Sequence, residues 1–217
     1  MVKRQSLVAI AALASAIATP AWSDVLTFDG NICGPSTCGN GTQITQTYGD
    51  VAGVVDVIYN RQVSPPVSAG DELFNFWTTG YSDLVNVAWG GSNDNVGRAE
   101  IFLKPLDGNP ITLNSLDLGA FPNVSLGTQL SILSGASDIL FQSAAFTVDG
   151  VVHSHFDFNL TSADGIRIQF GPSAFNVGID NVNFTTGRQS VGVPEPTTVA
   201  LFSMGLFACV RRRRIAQ

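Results

Sequence analysis

Charge is scarce in this chain of 217 residues: 13% of positions carry Asp, Glu, Lys or Arg, while 45% are hydrophobic. Such a composition excludes a disordered polyelectrolyte. Histidine occurs twice and cysteine three times, too few for a disulfide-built miniprotein or a four-cysteine zinc ribbon. Basic charge is what the body lacks most. Lys3 and Arg4 stand at the start and Arg211, Arg212, Arg213 and Arg214 near the end. Between residues 24 and 192 only Arg61, Arg98, Lys104, Arg167 and Arg188 remain, against sixteen acids, a net of −11. A surface this acidic repels phosphate backbones, so no nucleic acid is expected as a partner. There is no G-x-S-x-G elbow, no H-E-x-x-H and no Walker loop. Glycosidase carboxylates come from distant strands, and among sixteen acids the sequence singles out no pair. Internal repeats and amphipathic helices are missing too.

The two ends read as addresses. Lys3 and Arg4 precede an apolar run from Leu7 to Ala18, which Pro20 breaks. Ala21 and Ser23 put small side chains at −3 and −1, so residues 1–23 read as a signal peptide cleaved after Ser23. The twelve-residue run is too short for a bilayer core of roughly 30 Å, which disfavours the alternative of an uncleaved anchor. The expected partners at this end are the Sec translocon and signal peptidase. At the other end come Pro194, Glu195 and Pro196, an apolar segment over 197–210, and the arginine block 211–214. Fourteen helical residues reach about 21 Å, a deficit that snorkelling arginines partly cover. Four arginines beside an apolar segment stay cytoplasmic, so the body lies on the far side of the membrane.

This order of parts resembles the PEP-CTERM sorting signal of Gram-negative bacteria, over about the last 25 residues. The resemblance implies recognition by exosortase, with cutting near Pro194-Glu195-Pro196, and an association with extracellular polysaccharide and biofilm. Two prolines keep that segment extended, as a processing enzyme requires. The alternative is a permanent single-helix anchor, residues 197–210 holding the chain in the membrane. A GPI signal fits less well, because those tails end apolar.

Residues 24–187 read as one all-β domain, followed by a linker at 188–193. Ile166, Ile168 and Phe170 alternate with Arg167 and Gln169; Phe156, Phe158 and Leu160 alternate with His155, Asp157 and Asn159. Val85, Val87 and Trp89 share a parity and are expected on one buried face. Asp29-Gly30, Asp107-Gly108, Asp149-Gly150 and Asp164-Gly165 punctuate the runs. The pattern predicts a single antiparallel β-sandwich or jelly roll. Leu26 to Gly30 and Gly178 to Phe184 resemble the galactose-binding-like jelly rolls, in which the first and last strands lie close together.

Cys33 and Cys38 bracket four residues with a Gly-Pro bend, and in an exported chain they read as a disulfide. His153 and His155 point to one side of a strand, with Asp157 two residues on. Their spacing is similar to that of cupin metal sites, but no glutamate follows shortly and no third histidine exists. They are expected on an ordinary wet face. The cofactor expected is a structural calcium ion. Val177 and Ile179 share one parity, Val182 and Phe184 the other, so a bulge is expected at Asp180-Asn181. If the end strands are neighbours, Asp29 and Asp180 meet as oxygen ligands. The alternative is two turn acids in water. Asn93-Asp94-Asn95 is a weaker candidate.

For sugar contact, Trp77 has the parity opposite to Phe74 and Phe76, and lies near Tyr81 among hydroxyls. The leading expectation is therefore an exported, exosortase-sorted surface or matrix protein, non-catalytic, whose sandwich binds polysaccharide. The alternatives are a secreted enzyme acting on polysaccharide, or a structural surface protein without a sugar site.

Overall fold

A computed structural model describes residues 22–63, 73–91 and 97–187. The rest of the signal segment, Asn93-Asp94-Asn95, the linker, Pro194, Glu195, Pro196, the apolar segment 197–210 and Arg211–Arg214 lie outside the described residues. Twelve strands and no helix occur among the described residues, and they form two antiparallel sheets.

The first sheet runs β10 (Ser154–Ser162), β6 (Ile111–Ala120), β12 (Val177–Thr186), β4 (Val87–Trp89) and β3 (Asn75–Trp77). One edge of β12 is shared. Ile179 pairs with Ala88 of β4, while Val182 to Thr186 pair with β1 (Trp22–Leu26). The first and last strands are thus neighbours. The second sheet runs β2 (Val55–Val63), β5 (Arg98–Pro105), β11 (Ile166–Gly171), β7 (Leu126–Ser134) and β8 (Asp138–Gln142), with β9 (Phe146–Val148) also on β7.

Period-two alternation builds the core between the sheets. Ile166, Ile168 and Phe170 of β11 are fully buried, as are Ile101 and Leu103 of β5 and Leu130 and Ile132 of β7. Leu113, Leu116, Leu118, Ile179, Val182 and Phe184 meet them from the first sheet. A run of aromatics, Phe28, Tyr59, Phe74 and Phe170, crosses the interior with ring centroids 5.4–6.5 Å apart.

The expected phase slip is a real break in pairing. Register shifts fall between Asp180 and Asn183 on β12 and between Asp157 and Leu160 on β10, both against β6. Asn181 sits there at φ 49°.

Val85 departs from its expected face. β4 starts at Val87, and Val85 stands in a bend, 56% exposed. Val87 and Trp89 are buried, but in a second cluster with Tyr81 and Leu84 rather than in the main core, which Ala88 faces.

Two local features bear on the ends. Cys33 and Cys38 are joined as a disulfide, their Cα atoms 5.3 Å apart. β1 begins at Trp22, and Ser23 pairs with Thr185 and donates from Oγ to Asn183 Oδ1 at 2.8 Å. A chain cut after Ser23 keeps the pairs of Asp24, Val25 and Leu26 with β12.

Candidate functional site

The outer face of the first sheet carries two adjacent rows. In one, Gly178 of β12 lies opposite Gly119 of β6. In the next, Asp180 lies opposite Asp117, and Asp117 opposite His155 of β10. Glycine inside a strand marks a close approach by something else, and here it is the segment 78–86. A Cβ on Gly119 would overlap the Tyr81 carbonyl, and one on Gly178 would stand 3.0 Å from the Tyr81 ring. The segment is pinned by Ser82 N to Ala120 O at 3.0 Å, Tyr81 Oη to Phe175 O at 3.0 Å, and Ser82 Oγ to Asp149 O at 2.6 Å.

Pinned this way, the segment delivers Asp83 and Asn86 to the charged row. Asp83 Oδ1 accepts from the His153 backbone N–H at 2.7 Å and lies 2.9 Å from His153 Nδ1. His153 Nε2 is 3.7 Å from Asp117 Oδ1. His155 Nδ1 is 2.5 Å from the same oxygen, and its Nε2 is 3.1 Å from Asp157 Oδ1. Asn181 Nδ2 donates to Asp117 Oδ2 at 2.8 Å. Asn86 Nδ2 donates to Asp29 Oδ1 at 2.6 Å. Four of the six non-glycine residues at positive φ among the described residues border this cluster: Phe28, Ser82, Asn86 and Asn181. Backbone of that kind persists only where its surroundings over-determine it, and it concentrates at ligand sites.

Two titrations are displaced. Burial pushes the Asp180 carboxyl up to about 8, the Asn181 N–H opposing and the charges of Asp29 and Asp117 adding. Hydrogen bonding to Asp117 and then to Asp157 raises the His155 imidazole, so its charged form is favoured.

Of the residues singled out in the sequence, Asp29 and Asp180 come close enough for one charge to act on the other. The Trp77–Tyr81 platform does not form. Tyr81 is 2% exposed, its ring against Gly178 and its carbonyl against Gly119, and Trp77 is half-buried edge-on to Phe121, with centroids 5.1 Å apart. His153 and His155 do lie toward solvent, but not on an ordinary wet face, since a buried carboxylate stands between them.

That carboxylate, Asp117, was not legible from β6 alone. The available signals were the in-strand glycines at 119 and 178 and the shared parity of 117 with 119 and of 180 with 178. Also missed was Glu100 on the other sheet, fully buried and held by Arg167, Asn60 and Gln169. A shallow hollow of about 310 Å³ beside the disulfide loop is lined by Gly30, Asn31 and residues 35–38 and holds no titratable group.

The architecture defines the class first: an antiparallel β-sandwich. Among solved structures, a family 29 carbohydrate-binding module from Piromyces equi aligns with 65% of this chain and 98% of its own, at 15% identity and a TM-score of 0.28. No curated protein matches. The more particular finding lies at the C-terminus, where residues 192–214 match the family described as the PEP-CTERM protein-sorting motif. The chain carries this motif, which implies an exported protein of a Gram-negative bacterium, processed by exosortase.

Proposed function

We propose that this chain is a non-catalytic component of the cell surface or extracellular matrix whose β-sandwich binds extracellular polysaccharide. The sorting motif at 192–214 carries the reading. The Sec translocon and signal peptidase deliver the body across the membrane, and the apolar segment 197–210 with Arg211–Arg214 holds it there until exosortase cuts. Net charge supports the same assignment: a body of −11 is unsuited to nucleic acid or anionic lipid and compatible with a hydrated glycan matrix.

The sorting step is tested with Glu195→Ala in the producing cell. Immunoblots of membrane and external fractions should show the full-length variant trapped in the membrane, where the unaltered chain yields a shorter released form. Normal maturation of the variant overturns the sorting reading. Retention of the released protein on the host's own polysaccharide tests the binding reading, and new reducing ends in that mixture would instead make the protein an enzyme.

A structural calcium ion between Asp29 and Asp180 belongs to this proposal. Its support is the meeting of two carboxylates beside a bulge that frees backbone carbonyls. Removing calcium with a chelator should lower the melting temperature, and Asp29→Asn should abolish that response. Identical melts with and without the chelator remove calcium from the account.

A further inference from the structure

The two histidines converge on one oxygen, and each has its far nitrogen held by a different carboxylate. An ionised carboxylate only accepts, so the short contact with Asp83 fixes the His153 proton on Nδ1. That leaves Nε2 as the nitrogen facing Asp117 Oδ1, 3.7 Å away. His155 Nδ1 is hydrogen-bonded to the same atom, so a metal there takes the place of that proton, while its Nε2 faces Asp157. Histidine ligands of metal ions show this arrangement: one nitrogen toward the metal, the other donating to a carboxylate that sets the tautomer and ring angle.

We propose that His153 Nε2, His155 Nδ1 and Asp117 Oδ1 form a binding site for a divalent transition-metal ion of the zinc class. The three donor atoms lie within 4.8 Å of one another. Ligands at about 2.0–2.1 Å from a tetrahedral ion stand roughly 3.3 Å apart. The 3.7 Å separation needs little change, and the 2.5 Å contact opens by rotation of His155, whose side chain is 50% exposed. Asp117 is the anchor, 5% exposed and fixed by Asn181, so it cannot swing away. Two imidazole nitrogens with one carboxylate suit zinc, copper or nickel and not calcium, which takes oxygen. Three protein ligands leave the fourth position open on the solvent side. Asp83 and Asp157 are positioning residues.

The site is separate from sorting but adjoins the calcium pair, since Asp180 lies opposite Asp117, so the experiment reads signals that only nitrogen ligands give. The full-length chain in detergent is stripped with chelator and titrated with Zn²⁺ by calorimetry. Co²⁺ is added in parallel as a spectroscopic probe. The expected result is one equivalent of zinc and a visible cobalt band of tetrahedral intensity. His153→Ala and His155→Ala should each abolish both signals, and Asp83→Asn should weaken zinc about tenfold. Chelator melts of the two variants report their folding; if one does not fold, the other carries the test. Absence of a cobalt band and of zinc heat overturns the proposal, as does zinc binding that survives both histidine substitutions.

Discussion

Asp180→Asn is expected to make the metal-stripped protein markedly more stable at pH 8, by about 5 kcal/mol. The buried carboxyl has its folded pKa raised from 3.8 to about 8. A raised acid destabilises the fold. Below the unfolded pKa the group is protonated in both states and contributes nothing. As pH climbs above it, the unfolded chain ionises freely while the folded chain resists, and each unit of pH costs about 1.4 kcal/mol. The loss is complete only once pH passes the folded pKa. The window is therefore about pH 4 to 8, with stability falling as pH rises. The groups facing Asp180 are Asp29 from the loop after β1 and Asp117 from β6, both acids, so neither offers a counter-charge. Asparagine retains an oxygen for the Asn181 N–H and adds donors toward both neighbours.

Urea denaturation across that range, in chelator, checks this. The unaltered chain should slope downward and the variant should be nearly flat. Parallel curves sink the expectation. With saturating calcium the ranking should invert, because a cation that binds only the folded state stabilises it through mass action, and only the carboxylate offers it a charged ligand.

How much of this was legible depended on whether the information was local. The alternation in Ile166–Phe170 needs only consecutive residues, and it placed β11 in the core correctly. The Cys33–Cys38 bridge closes over four residues and needs no knowledge of topology. The parity change at Asp180 is a local mark too, and it is a register break of β12 against β6, beside a second one of β10 on the other edge of β6. By contrast, Asp117 acquires its meaning only from what lies opposite: Asp180 on one side and His155 on the other, 63 and 38 residues away. Parity says which side of a strand a residue faces, not which strand comes next. Tyr81 and Val85 failed for a related reason. Their segment is not a strand, so alternation had no hold on it. It instead folds back over Gly119 and Gly178. Those glycines held the clue, since strand interiors favour residues with side chains to pack and give them up where another backbone must pass.

The second sheet yields the other large effect, through a charge with nowhere to go. Glu100 is fully buried on β5. Its Oε1 accepts from Arg167 Nη1 at 2.6 Å and Asn60 Nδ2 at 2.8 Å, and its Oε2 from Gln169 Nε2 at 2.7 Å. Asn60, Glu100 and Gln169 are direct cross-strand partners, so register alone assembles the two amides around the carboxylate. Arg167 supplies the only counter-charge among these partners. It is itself fixed by Nε donating to Gly135 O at 2.6 Å and by its guanidinium 3.8 Å from the centre of the Phe102 ring. Arg167→Ala leaves two neutral donors for an anion that water cannot reach. The expected loss is about 3–5 kcal/mol, as for other broken buried pairs, against a total of about 5–15 kcal/mol for a domain. Arg167→Lys should lie between, since an ammonium keeps the charge but neither the planar fork nor the stacking. The combined Glu100→Gln, Arg167→Met chain should recover most of the deficit, because a buried pair costs nearly as much to desolvate as it returns. Urea midpoints for the single and double variants measure all three. A loss below about 1 kcal/mol for Arg167→Ala, within the range of an exposed ion pair, would show that the Glu100 charge is held by the amides alone.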